Sequence, residues 1–269
     1  MGSKSNKKKK YPAKEIKKET GNKLIELIYY KPFNPKYKYI LFLPVLIGLL
    51  AGIYFIYSSY ETNGYFGFPL DDPWIHLTFA KNFIEYSNFS YFKNEIVTSG
   101  STSPVYTLLL SLFYFIFKNE FILSYLIGII FGIVMIYIII KLTGFHFKNA
   151  WLLTLLTAFL VSVQPKLNLI NVSGMETSMF IFFIAASLYA YKSKKIILLG
   201  IFLGLTIWCR PDGFILWIAV GLDYLIQKYY FDKSDTTSSS EIKIQNNEII
   251  KAFSIALIFA AGYFIFNYL

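Results

Sequence analysis

The residues able to do chemistry gather in a few short polar stretches set between long apolar ones. The densest is DDPWIHLTFAKNF, residues 71–83. Asp72 followed by Pro73 reads as a helix N-cap with proline at the first helical position. Capping therefore accounts for Asp72 as readily as chemistry does. Asp71 lies outside that helix and is not explained by capping. A carboxylate in this position can serve as the general base that a hydroxyl nucleophile needs. His76 stands one turn beyond Asp72 and has two readings, a hydrogen-bonding structural group or a contributor to a cation or substrate site. No second histidine at ligand spacing supports a dedicated metal centre. Ile75, Phe79 and Phe83 fall four apart, as expected of a helix lying in a membrane interface.

Three further stretches carry polar residues that apolar packing does not need. Residues 97–106, VTSGSTSPVY, form a loop that ends at a helix start beside Pro104. Residues 164–178, QPKLNLINVSGMETS, place Lys166 and Glu176 at the boundary of an apolar run. Glu176 is the only acid between Glu120 and Asp212, and either caps the helix it opens or lines a site. Residues 208–214, WCRPDGF, interrupt two apolar runs. A turn needs Pro211 and Gly213 but no arginine. Arg210 either contacts Asp212 within the turn or grips a phosphate with paired hydrogen bonds. Asp223, inside the next apolar run, is costly in lipid and must face the bundle or its inner interface.

The elements that must position these residues are read from composition. Of 269 residues, 55% are hydrophobic, 20% aromatic and only 16% charged, with a mean hydropathy of +0.49. That leaves too little polar surface to cover a water-exposed globule. The expectation is an all-α, polytopic transmembrane helix bundle. The net charge of +10 is concentrated in a tail, residues 1–38, which holds twelve Lys and three Glu. A basic tail before a first apolar span stays in the cytoplasm and meets anionic lipid. Nucleic acid is not an expected partner, because no aromatic or arginine readout accompanies the lysines. The single cysteine, Cys209, excludes an intrachain disulfide.

Apolar runs fall at about 39–58, 104–117, 121–140, 150–164, 178–191, 196–208, 214–227 and 249–268. Lys141 with Lys148, Lys192 with Lys194 and Lys195, and Lys228 with Lys233 mark three connections as cytoplasmic, like the tail. Parity then requires that one run fail to cross, and 104–117 is among the shortest. The expected arrangement has about seven spans in residues 39–269, with 59–120 as a first outer loop carrying interfacial helices. Residues 165–177 and 209–213 fall on the same outer side. Gly48 and Gly52, Gly128 and Gly132, and Gly200 and Gly204 are each spaced for close helix approach. The sequons at 88–90 and 171–173 matter only where N-glycosylation machinery meets them.

Taken in order, DDPWIHLTFAKNF, SGSTSPVYTLLL, SGMETSMF and RPDG resemble the GT-C superfamily of polytopic glycosyltransferases. The likeness is to the bacterial branch grouped with the protein O-mannosyltransferases and the RgtA/B/C/D-like lipopolysaccharide-core transferases, and it covers about residues 39–227. The resemblance implies an extracytoplasmic active site in the cytoplasmic membrane and a polyprenyl-phosphate sugar donor. It further implies Asp71 as catalytic base, Asp72 as a supporting acid, Glu176 lining the site and Arg210 near the donor phosphate. With His76 and Asp212 these make up the expected site. The acceptor is a glycan, lipid or protein hydroxyl. No cofactor is expected, and a divalent metal is not. Members of the family are usually longer, so the chain is also expected to be a fragment, a split gene product or a minimal form. Two rival expectations are a transporter or flippase for a lipid-linked or small polar substrate, and a catalytically silent membrane subunit.

Overall fold

The computed structural model describes residues 35–93, 95, 100–146, 151–231 and 244–268. Outside them lie most of the basic tail, 97–99 of the VTSGSTSPVY loop, Lys148, and 232–243 of the polar connection with Lys233. Among the described residues the chain is all helix, with no strand. A 3₁₀ segment, Pro35–Phe42, leads into α1, Leu43–Asn63. Two helices follow, α2, Asp72–Tyr86, and α3, Pro104–Ile116. Next come α4, Glu120–His146, α5, Trp151–Ser162, and α6, Pro165–Asn171. The remaining helices are α7, Thr177–Lys192, α8, Ile196–Cys209, α9, Phe214–Ile226, and α10, Asn246–Tyr268.

The chain is a membrane protein. Three helices are long and apolar enough to cross a bilayer: Tyr39–Asn63, Glu120–Phe145 and Asn246–Tyr268. The pair α5 and α6 makes a fourth if taken as one span bent by 60°. Pro165 begins α6, where its ring and missing N–H forbid an unbroken helix. α7 and α8 are apolar but have only 16 and 14 residues. At 1.5 Å per residue they reach about 24 and 21 Å, short of a ~30 Å hydrocarbon core. The long helices turn apolar side chains outward, among them Leu46, Leu50 and Ile53 on α1 and Leu257, Ile258 and Ile265 on α10. Such a continuous apolar surface needs lipid, not water.

Two ends of the bundle differ in charge. α1 finishes, and α2 and α4 begin, at one of them, where the Tyr125 hydroxyl donates to the Gly67 carbonyl at 2.6 Å. α3 runs beside α2 in the same direction, with His76 opposite Thr107 and Glu85 opposite Tyr114. Lys81 on α2 then pairs with Glu120 at the start of α4, at 3.9 Å. The described residues between Gly64 and Asn119 thus start and finish beside the N-terminal part of the same helix, α4. The Tyr106 hydroxyl donates to Gly174 at 2.7 Å, bringing the α6–α7 connection to the same place. At the opposite end lie the C-terminal part of α4 with Lys141, the α7–α8 turn with Lys192, Lys194 and Lys195, and Lys228 just past α9. Asp223 is there too, accepting from Gln227 at 2.6 Å and standing beside Tyr191, which relieves its burial.

The glycine pairs act as close-contact seats. A Cβ at Gly200 would lie 2.6 Å from the Ala252 carbonyl of α10, and one at Gly204 would lie 2.4 Å from the Phe259 ring. α8 and α10 pack along this line, burying Leu199, Leu203, Ile207, Ala252 and Ala256. Gly48 and Gly52 receive Ile136 and Ile129 of α4. Gly128 and Gly132 receive no helix side but the end of α6: a Cβ at Gly128 would meet the Asn171 backbone carbonyl at 1.9 Å. Gly128→Ala is therefore expected to cost about 3 kcal/mol, the upper end of overpacking. Gly52→Ala presses only on a flexible Ile129 side chain at 3.2 Å and should cost under about 1 kcal/mol. Thermal unfolding of the two variants in detergent checks the contrast.

One expectation is corrected. Ile75, Phe79 and Phe83 do not form a single lipid-facing stripe. Phe79 is fully buried against Phe89, while His76, Leu77 and Ala80 face α3 and its neighbours. Tertiary partners claim the face that periodicity alone would hand to lipid.

Candidate active site

The site begins at the N-terminus of α2. Pro73 presets helical backbone there, and the Trp74 N–H reaches the Asp71 carbonyl at 3.0 Å. The helix starts at Asp72, with Asp71 in the capping position, one residue earlier than the Asp-Pro pair suggests. The Asp71 side chain makes no capping hydrogen bond. Both carboxylates are exposed. Asp71 lines an open cleft of about 460 Å³ with Trp74, Ile75, Phe79, Tyr91 and Gly100.

One turn on, His76 is buried, only 3% exposed. Its Nδ1 lies 3.3 Å from Ser101 Oγ and 3.2 Å from Thr107 Oγ1, and those two hydroxyls are 2.7 Å apart. Its Nε2 faces Glu176 Oε2 at 3.4 Å. Both ring nitrogens thus have protein neighbours, which favours the structural reading of His76 over direct contact with substrate. The imidazole links α2, the α3 entry and the start of α7.

Glu176 is the hub. It occupies the capping position of α7, yet its side chain caps nothing. Instead Oε1 accepts from the Arg210 guanidinium at 3.3 Å while Oε2 faces His76. The geometry thus removes the side-chain capping reading of this acid. Burial pushes the Glu176 carboxyl up, but the His76 imidazole and the Arg210 guanidinium outweigh it and hold the group below its ordinary value of 4.5. Arg210 Nε also meets Asp212 at 3.4 Å, so the turn contact is present as well. These two contacts engage two of five guanidinium donors, and about a third of the side chain is exposed. The ring of Phe180 lies under it at 5.9 Å.

His76, Glu176, Arg210 and Asp212, spread over 137 positions of sequence, therefore form one chain of contacts. The two aspartates stand apart from it, at the start of the helix that carries His76.

Residues not singled out from sequence hold this arrangement. Ser101 and Thr107 seat the imidazole. Asn171 accepts from Ser178 at 2.9 Å and lodges in the groove of Gly128 and Gly132, fixing the turn that delivers Glu176. Asn171 is only 7% exposed, so the sequon at 171–173 is closed to modification. The available signal was the run of hydroxyls and amides around Pro104 and Gly174, since polar residues inside an apolar bundle must find partners. Among the described residues no group of three or more His, Cys, Asp or Glu converges as a metal-ion cage. Compared with family models, with curated proteins and with solved structures, the chain matches none of them.

Proposed function

We propose that the chain is a membrane glycosyltransferase of GT-C type, with about seven spans, moving a sugar from a polyprenyl-phosphate donor to a hydroxyl acceptor. The observation that carries the reading is Glu176, held at once by His76 on the Asp71 helix and by Arg210 beyond α8. It ties an exposed carboxylate and a guanidinium about a third exposed to the same end of an apolar bundle. Inverting transfer needs that pair. Asp71 takes the proton from the acceptor hydroxyl as its oxygen attacks the anomeric carbon. The bond from that carbon to the phosphate oxygen breaks, and the electron pair leaves on the lipid phosphate, where Arg210 offsets the charge. His76 and Asp212 orient Glu176 and Arg210 respectively. Asp72 supports Asp71 and its negative field.

The lysines at the far end favour an orientation with the N-terminus in the cytoplasm and the site outside, in the cytoplasmic membrane. A transporter would set its ionisable groups near the midplane, between repeats. Here they sit at one end. The rival of a silent subunit is separated by activity.

Two experiments test the proposal. Purified protein in liposomes is supplied with radiolabelled polyprenyl-phosphate sugars and a panel of hydroxyl acceptors. Label should leave the lipid in the wild type and not in Arg210→Ala. Release that ignores Arg210 defeats the assigned role. In a Cys209→Ser background, single cysteines at Tyr65 and Asp212 should react with a membrane-impermeant maleimide from outside the cell. A cysteine at Lys194 should react only after lysis. Labelling of 65 and 212 from opposite faces would end the proposal.

A further inference from the structure

The cleft beside Asp71 has a composition that the proton-transfer role does not require. Trp74 and Tyr91 line it and keep about two fifths of their surfaces exposed, although each has an apolar bundle close by in which to hide. Both rings are held in place. Trp74 is wedged edge-on by Phe68 at 5.5 Å and Phe121 at 5.4 Å. Tyr91 belongs to a loop clamped by Asn82, whose side-chain amide donates to the carbonyls of Ser90 and Tyr91 at 3.0 and 2.9 Å. Ser90 closes the loop by donating to Phe92 at 2.6 Å, and Phe79 forms a buried floor beneath Tyr91. Rigid exposed rings lose little entropy when they are covered, so they make efficient contact surfaces.

Charge narrows the occupant. Of the described residues lining the cleft, one is a carboxylate and none is a cation. Asp72, also exposed, adds to the negative field. Phosphorylated or uronic-acid ligands are repelled there. A ligand must offer hydroxyls to Asp71 and polarised C–H faces to the electron-rich rings. A neutral pyranose offers both: carboxylate oxygens accept from adjacent hydroxyls, and the axial hydrogens of the sugar face lie against an aromatic plane.

We infer that this cleft binds a neutral pyranose residue of the acceptor, making the acceptor a glycan. The inference rests on the glycosyl-transfer reading and deepens it, because it names the acceptor's chemical class at the same site. The sugar stacks on Trp74 or Tyr91 and turns one hydroxyl toward Asp71. The aromatic rings position it and the carboxylate meets the reacting group.

The test reads binding and needs no donor. The full chain in lipid nanodiscs, prepared without sugar detergents, is mixed with the methyl pyranosides of glucose, galactose and mannose. Saturation-transfer NMR then reports which ring protons touch protein. At least one pyranoside should show transfer to its C–H face, and galacturonate should show none. Trp74→Ala and Tyr91→Ala should each weaken that transfer by about fivefold, the scale of one lost ring contact. If loss of the indole unfolds α2, Tyr91→Ala at the loop still decides. The inference is overturned if no pyranoside binds, if binding ignores both rings, or if tetramethylammonium takes the cleft in place of the sugars. Its failure is separable from that of the transfer reading. Transfer onto a peptide hydroxyl with an empty cleft defeats only the glycan, whereas pyranoside binding by a chain that never releases sugar from lipid defeats only the enzyme.

Discussion

Asp71→Asn should abolish sugar transfer while leaving the protein folded and inserted. The asparagine keeps the shape of the side chain and removes its ability to take a proton. General-base catalysis is worth about 10²–10⁴-fold, so the residual rate should fall by that factor. The cost to the fold should be small, within about 0.5 kcal/mol, because Asp71 is exposed and its side chain caps nothing. Rate and stability are thus expected to separate cleanly. The measurement is transfer from polyprenyl-phosphate sugar in liposomes, run beside thermal unfolding in detergent. Asp72→Asn, which spares the base, should lower the rate far less. Wild-type turnover by Asp71→Asn would remove the assigned base and the mechanism with it.

Glu176→Gln should show the opposite signature, a large loss of stability together with activity. The carboxylate lies between a buried imidazole and a guanidinium, with its side chain only 5% exposed. Removing one member of a buried ionic network leaves its partners without compensation and costs about 3–5 kcal/mol. About 3 kcal/mol is the expected figure, since Arg210 is a third exposed and keeps Asp212. Acid should reproduce the effect in the wild type. The Glu176 carboxyl is held below 4.5 in the fold, so its contribution is present above that value. It fades as pH falls through the depressed folded pKa. The gap in stability between wild type and Glu176→Gln should accordingly be full at neutral pH and close below pH 4.5. Unfolding curves of both proteins across that range check this, and a gap that stays constant down to strongly acid pH would show that the carboxylate is not the stabilising group.

The contrast between these residues shows what a one-dimensional reading can reach. Arg210 and Glu176 stood out because each interrupts apolar sequence, where a charge is costly unless it has a partner. The cost is visible in sequence, but the identity of the partner is not. Arg210 could be satisfied within its own turn by Asp212, and it is, yet it also reaches Glu176 across 34 positions. Glu176 sits where a capping acid belongs and does something else. Gly128 and Gly132 look like a helix–helix seam and instead seat the Asn171 end of a short broken helix.

Composition and spacing by themselves determined that this is a helical membrane protein, which segments are apolar, and which polar residues need explaining. Those properties follow from local free energies, since each residue's preference for lipid, water or a helix is paid wherever the chain goes. The tertiary structure alone decided that the stretch between α1 and α4 starts and finishes beside the N-terminal part of α4, that His76 joins Glu176 and Glu176 joins Arg210, and that Trp74 and Tyr91 flank Asp71 in one cleft. Such pairings are set by which helices pack together over long separations, and the same local pattern is compatible with many of them.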